Sequence, residues 1–395
     1  TYLLFTQLSV YIIRRLKSNK NIFWRKTNML LFSDLSFRMK DNARTFFLVA
    51  IISTVAFSAI GSLFGFHSYL TKGVKEANPY SFIYTPLQRT GEKEILEEIK
   101  QVDAILQEEH VSAKKETAVF HYFEMAGRHG GVLIAKASDY NRFAALLHKD
   151  PVFPKEDEAI IVEQSHVMMY QGKKASEILL ENPLRLENGQ VLRFNRIIES
   201  EVLPEVNGYY IVNDEIFDQL GTPLRSEINA VWQAAGGQKE QVIEAGRKLT
   251  EQLPIKTFSI DYALYEINKA YGPILFIGLF IGIVFFVSAG SFLYFRLFTD
   301  LDADKEKFRS VAKIGLAFSE LKKVVNRQTA LLFFAPIAVA LVHGAVALTA
   351  LSRMFDYDLT VESAFVLGSF AVIQIIYFLI VRFFYLKQLK KAVAV

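Results

Sequence analysis

The chain has no cysteine among its 395 residues. Disulfides and thiolate metal sites are therefore excluded, and any part that folds outside a cell does so without covalent staples. Tryptophan is scarce as well, with 2 residues against 34 phenylalanines. Charge is also low: 22% of residues are charged while 51% are hydrophobic. A soluble globular protein carries nearer a quarter charged residues, and a disordered chain needs more charge and fewer aromatics. The deficit is concentrated, because the stretches 45–70, 271–295, 329–352 and 364–381 contain no Asp, Glu, Lys or Arg. A helix rises about 1.5 Å per residue, so about 20 apolar residues cross a bilayer core of roughly 30 Å. Four such runs predict four transmembrane helices, since a soluble core would need four helices apolar on every side.

Several chemistries are missing too. No G-x-x-x-x-G-K-[ST] phosphate loop, H-E-x-x-H pair or G-x-S-x-G elbow occurs. His110, His121, His129, His148 and His166 are scattered without metal-ligand spacing. The spans hold two histidines, His67 and His343, and His343 is expected to be packed and hydrogen-bonded. Without intramembrane carboxylates, an ion-coupled pump is disfavoured. The expectation is a protein that is not an enzyme and that holds no cofactor or metal.

What is present is strongly partitioned charge. Residues 1–45, 71–270, 296–328, 352–362 and 382–395 carry net charges of +7, −8, +3, −2 and +4. Short basic segments mark the cytoplasmic ends of spans, whereas long domains cross regardless of charge. The expected layout is therefore a truncated span at 1–13, a basic cytoplasmic linker with an interfacial helix at 14–44, and a span at 45–70. An extracytoplasmic domain follows at 71–270, then a span at 271–295, a cytoplasmic segment at 296–328 and a span at 329–352. A short outer loop at 353–363, a span at 364–381 and a cytoplasmic tail at 382–395 complete it. Both ends are expected in the cytoplasm, and the truncated first span implies a longer polypeptide upstream.

Local patterns fill this frame. Thr27 or Asn28 can cap a helix in which Leu31, Leu35, Phe32 and Met39 recur at helical offsets, with Asp34, Arg38 and Lys40 directed elsewhere. The outer segment reads as α+β. Helices are expected at 92–109, 215–220 and 238–253, and strands at 117–125, 132–136, 159–163, 184–186, 190–194 and 209–212, with a Gly-rich hairpin turn at 126–131. Gly61 and Gly65, and Gly278 and Gly282, each place small residues one turn apart, which allows spans one and two to pack closely on each other or on a partner. Pro336 is expected to kink span three. In the segment between spans two and three, Phe308, Val311, Ile314 or Gly315, and Phe318 form an apolar stripe, with Leu316 beside it. Such a tethered amphipathic helix suits docking into a groove on another protein.

These residues carry a resemblance. The stretch Lys307-Phe308-Arg309-Ser310-Val311-Ala312-Lys313-Ile314-Gly315-Leu316 resembles the E-[IV]-x-x-L-x-x-[LI]-G-A segment of FtsX-like ABC transporter permeases. It matches at Phe308, Val311, Ile314 and Gly315 and departs at Lys307 and Leu316. The run Phe32-Ser33-Asp34-Leu35-Ser36-Phe37-Arg38-Met39-Lys40-Asp41-Asn42-Ala43-Arg44, entering a Phe-Phe-led span, is similar to bacitracin-type (Bce) peptide-antibiotic permeases. That resemblance implies a ten-span permease in the bacterial cell membrane, with this chain covering everything from the end of its sixth span. It implies a separate ABC ATPase homodimer driving the helix around Phe308–Phe318, and a sensor histidine kinase as a further partner. The ligand implied is a cell-wall-targeting peptide on a lipid-linked pyrophosphate, met by the outer domain and a groove between spans one and two. The alternative is an FtsX-type regulator relaying ATPase motion to a cell-wall hydrolase, or a lipoprotein-releasing or macrolide-type permease.

Overall fold

A computed structural model describes residues 1–395 except 88–89, 127, 156–157, 164–176, 178, 181–182, 206–207, 356 and 394–395, and except the side chains of 9, 40, 128–130, 392 and 393. His166 lies outside the described residues, and so does the side chain of His129. Among the described residues the helices are α1 (Ser9–Ser18), α2 (Lys20–Phe23), α3 (Asn28–Asp41), α4 (Ala43–Ser68), α5 (Val74–Ala77), α6 (Glu92–Glu108) and α7 (Ala137–Leu146). They continue as α8 (Asp214–Gln219), α9 (Lys239–Gln252), α10 (Ile260–Thr299), α11 (Leu301–Lys313), α12 (Phe318–Phe355) and α13 (Thr360–Val393). Two compact units divide the chain, residues 1–67 with 272–395, and residues 68–271.

In the first unit, α4, α10, α12 and α13 are long and apolar enough to cross a membrane. All four outrun their uncharged stretches, α4 by running on through a π-helical turn at Tyr69–Gly73 into α5, because a helix once nucleated propagates into flanking polar sequence at little cost. Pro336 is buried inside α12, which continues through it. The bundle core gathers Val49 and Phe57 from α4, Ala289 and Leu293 from α10, Phe333, Ile337 and Ala340 from α12, and Phe370, Phe378 and Val381 from α13. Phe57 meets Phe370 edge-on with ring centroids 4.9 Å apart. The four glycines of the two small-residue pairs serve different neighbours. A Cβ at Gly278 or Gly282 would strike Leu63 or Ile60 of α4, so spans one and two do touch through these two. Gly61 and Gly65 instead face Leu348 of α12 and Leu359, at the turn between α12 and α13. Near the start of the chain, Phe5 and Ile13 are buried with Leu35, Met39, Phe46 and Leu332.

His343 is not packed as expected. Its ring lies on the exposed side of α12, with Nδ1 3.4 Å from the Thr1 hydroxyl.

The second unit is built on strands β1 (Phe82–Tyr84), β2 (Ala113–Met125), β3 (Arg128–Lys136), β4 (Ala159–Glu163), β5 (Leu184–Arg185), β6 (Val191–Leu192), β7 (Phe194–Glu199), β8 (Tyr209–Val212), β9 (Arg225–Ala234) and β10 (Thr257–Ser259). Eight of them form a mixed sheet in the order β10-β1-β9-β2-β3-β8-β4-β7, and β5 with β6 form a small ribbon. The hairpin expected around 126–131 is present, with β2 and β3 paired antiparallel. The long partner of β2 is β9, paired from Ala113–Ala234 to Tyr122–Arg225. Alternation along the strands sends Phe82, Tyr84 and Trp232 to one face beneath α6 and α9, and Ile83, Phe120, Tyr122 and Val231 to the other beneath α7. The fold is therefore four apolar helices with an α+β unit inserted between the first and second, as the sequence leads one to expect.

Candidate functional site

The segment after α10 folds as a helical hairpin. α11 presents Leu301, Asp304 and Phe308 inward, at helical spacing. It ends at Lys313 for a local reason: Gly315 has φ +106°, a left-handed conformation in which a side chain would be strained. The Gly315 N–H donates to the Ala312 carbonyl at 3.0 Å and the Leu316 N–H to the Val311 carbonyl at 3.5 Å. That pair of bonds is a Schellman stop, usually accompanied by an apolar contact from the residue after the glycine. Leu316 supplies it, packing against the cluster that holds Phe308.

The stop breaks up the apolar stripe. Phe308 is 1% exposed and packs on Leu301, Leu321, Val325, Tyr385 and Leu389 of the same chain. Ile314, by contrast, is 87% exposed at the tip of the turn. Val311 and Leu316 are half-buried, Gly315 is exposed, and Phe318 is 37% exposed at the start of α12. Phe308 therefore anchors the hairpin from within, and Ile314 is left exposed at its tip.

Beside the hairpin lies an ionic cluster that apolar periodicity does not reveal. Arg38 of α3 is 6% exposed, and its three guanidinium nitrogens reach three carboxylates. Nε donates to Asp34 at 2.9 Å, Nη1 to Asp300 at 3.4 Å, and Nη2 to Asp304 of α11. Lys307 of α11 returns the link, donating to Asp34 at 2.7 Å and lying 3.2 Å from Asp304. Gln328 of α12 also donates to Asp34, and the Tyr385 hydroxyl of α13 to Asp304. Burial alone would pull the Arg38 guanidinium down, but Asp304, Asp34, Tyr385 and Asp300 outweigh it and hold its pKa above the ordinary value. Asp34 and Arg38 thus face inward beside Leu31, Leu35 and Met39, not away from them as expected. Their i, i+4 spacing on one helix, matched by Asp300, Asp304 and Lys307 at i, i+4 and i+7 on another, is the signal that could have found them.

At one side of the cluster Arg296 of α10 donates from Nη2 to Asp41 and lies 3.7 Å from Asp300. Asn42 Oδ1 and Arg296 Nε are buried without a hydrogen-bond partner among the described residues. Both residues line a cavity of about 10 Å³ together with Arg38 and Asp300.

The second unit holds a cavity of about 720 Å³, lined among others by Lys75, Gln233, Lys239, Asp261 and Asn268. Its mixed charges select no ligand class. Elsewhere in this unit, polar side chains lock the fold. The Tyr84 hydroxyl donates to Glu98 at 2.6 Å and Lys256 Nζ to Glu98 at 2.5 Å. The His121 ring lies 2.8 Å from the Ser226 hydroxyl, and burial pushes its pKa down. Among the described residues, no group of three or more His, Cys, Asp or Glu could hold a metal ion.

No protein-family model matches the chain. Curated proteins do. The chain is 33% identical over 402 residues, 99% of its own length, to the ABC transporter permease protein YxdM of Bacillus subtilis strain 168. It is 27% identical, over 98% of its length, to the uncharacterized ABC transporter permease YvcS of the same organism. It is 23% identical, over 99% of its length, to that organism's bacitracin export permease protein BceB. The chain spans 62% of the length of each of these relatives. Four apolar helices and this kinship support a multi-pass membrane protein. Along nearly its whole length, the chain is homologous to ABC transporter permeases.

Proposed function

We propose that the chain works as part of a permease subunit of a bacterial ABC transporter that protects against cell-wall-targeting peptide antibiotics. A separate ATPase docks on the turn at Ile314 and drives it; the permease itself hydrolyses nothing. The observation that carries this reading is the shape of the α11–α12 hairpin. A large apolar side chain, 87% exposed, sits at its tip, while Phe308 and Leu316 bind its stem into the bundle. An exposed apolar tip on a packed stem can take up a push and pass it to the helices without being deformed. The basic segments beside the spans support a cytoplasmic tip and an outer position for residues 71–270. Motion then reaches the outer unit through α4 and α10, whose chain enters and leaves it. Kinship with a protein named as a bacitracin export permease supports a peptide antibiotic as ligand. The peptide is met on its lipid-linked pyrophosphate, and a sensor histidine kinase is a further partner.

Co-purification of the full-length permease with its ATPase tests this. Ile314→Asp is expected to abolish association while leaving the permease folded and inserted. Retained association with normal stimulated hydrolysis would contradict the docking role.

A further inference from the structure

We infer that Arg38 is a positioning residue that clamps α3 to α11, so that the two helices move as one block about hinges at Asn42 and Asp300. The inference rests on the proposed entry of force at the α11–α12 turn, and adds how that force is passed on.

Three observations carry it. The first is the geometry of the clamp. Arg38 spends its three nitrogens on Asp34, Asp300 and Asp304, and Lys307 bridges Asp34 back to Asp304. Asp34 and Arg38 sit on α3, Asp304 and Lys307 on α11, and only the full set leaves no buried charge alone. A lysine at 38 would keep the charge but, as a single point donor, could not span three carboxylates. Gln328 and Tyr385 fasten the nearby turns of α12 and α13 to the same acids.

The second observation is where the helices break. α3 stops at Asp41 and α4 begins at Ala43, so Asn42 is the joint between them. α10 stops at Thr299 and α11 begins at Leu301, so Asp300 is the joint there. Two spans thus lose their continuity at one level, where Asn42 and Asp300 border the same small cavity. Helix-terminal residues are where hinge motions absorb backbone change.

The third is the distribution of hydrogen bonds. Between α3 and α11 every carboxylate of the clamp is met by cations or donors. Toward α4 and α10, Arg296 Nη2 donates to the exposed carboxylate of Asp41 and lies 3.7 Å from Asp300, but Asn42 Oδ1 and Arg296 Nε are buried without a partner among the described residues. Buried polar groups are seldom left so. A small rotation of the block can exchange partners on that side, whereas rotation within the block would strand a buried charge. The stiff side is the clamp and the yielding side is the pair of joints. The spans hinged there, α4 and α10, are the two that flank the inserted unit.

Spin labels in the full-length permease, reconstituted with its ATPase in nanodiscs, test the inference after removal of any native cysteines. Labels at Phe37→Cys on α3 and Ser310→Cys on α11 are expected to give one narrow distance distribution, unchanged between nucleotide-free and ATP-trapped states. A second pair, Ser310→Cys with Phe285→Cys on α10, is expected to shift with nucleotide. Arg38→Lys should broaden the Phe37–Ser310 distribution even without ATPase, while leaving ATPase association intact. A Phe37–Ser310 distance that moves with nucleotide, or that stays narrow in Arg38→Lys, would overturn the clamp. Should the ATPase fail to bind the unaltered permease, the docking reading falls, while the ATPase-free Phe37–Ser310 distribution in Arg38→Lys still decides the clamp.

Discussion

Phe308 and Ile314 lie six residues apart on one apolar stripe and have opposite fates. Replacing Phe308, 1% exposed among side chains of α11, α12 and α13, removes contacts that the bundle cannot fully refill. Phe308→Ala is expected to cost about 3–5 kcal/mol, read as a fall in the melting temperature of the purified protein. Ile314→Asp, at 87% exposure, should leave that melting temperature unchanged. Gly315 differs again, because its φ of +106° strains any side chain. Gly315→Ala should cost about 1–2 kcal/mol, the order of the penalty for left-handed backbone. A pH dependence follows from Glu98. Burial would raise its carboxyl, but hydrogen bonds from Lys256 and Tyr84 win and hold its pKa below the usual carboxylate value. A depressed carboxylate contributes stability that is present above the unfolded value of about 4.3 and is lost as pH falls through the lower folded value. Unfolding followed by Trp232 fluorescence in a Trp24→Phe background should show acid destabilisation in that range. Glu98→Gln is expected to flatten it.

At the scale of elements, the long helices were legible because a bilayer demands length and apolarity together, and both can be counted. The amphipathic helices α6 and α9 were legible for a related reason, since Ile95, Ile99, Val102 and Leu106, or Val242, Ala245 and Leu249, repeat with the helical period. Strand β9 was not, because Arg225–Ala234 begins with charged and polar residues and takes its place only through pairing with β2. Helix α7 escaped notice because its inward face, Ala137, Tyr140, Phe143 and Ala144, is short and partly small. The ionic clamp was hidden by a different cause: charges on an amphipathic helix ordinarily mark its wet side, and only three-dimensional neighbours turn Asp34 and Arg38 inward. Close helix contact was readable from small residues, but not which helix each would meet. Gly344, which carries no paired glycine four residues away, meets Phe57 more tightly than either expected pair requires. Gly344→Val is expected to force α4 and α12 apart at about 1–3 kcal/mol, seen as a lowered melting temperature.

For the whole molecule, a soluble-type α+β unit interrupts a membrane bundle between its first and second long helices. Such an arrangement makes mechanical sense when the working stroke and the ligand lie on opposite sides of the bilayer. Packed apolar helices are stiff along their axes, so they can carry displacement without opening a polar path, and the apolar stretches of α4, α10, α12 and α13 hold no Asp, Glu, Lys or Arg. The absence of cysteine makes the arrangement unusually easy to probe, because a single introduced thiol reports its own side. Labelling of intact cells with a membrane-impermeant maleimide, on the full-length permease freed of any native thiols, is the most direct test. Phe153→Cys, at a position 76% exposed in the inserted unit, should label in intact cells, and Ile314→Cys only after permeabilisation. Labelling of both from the same side would contradict the account.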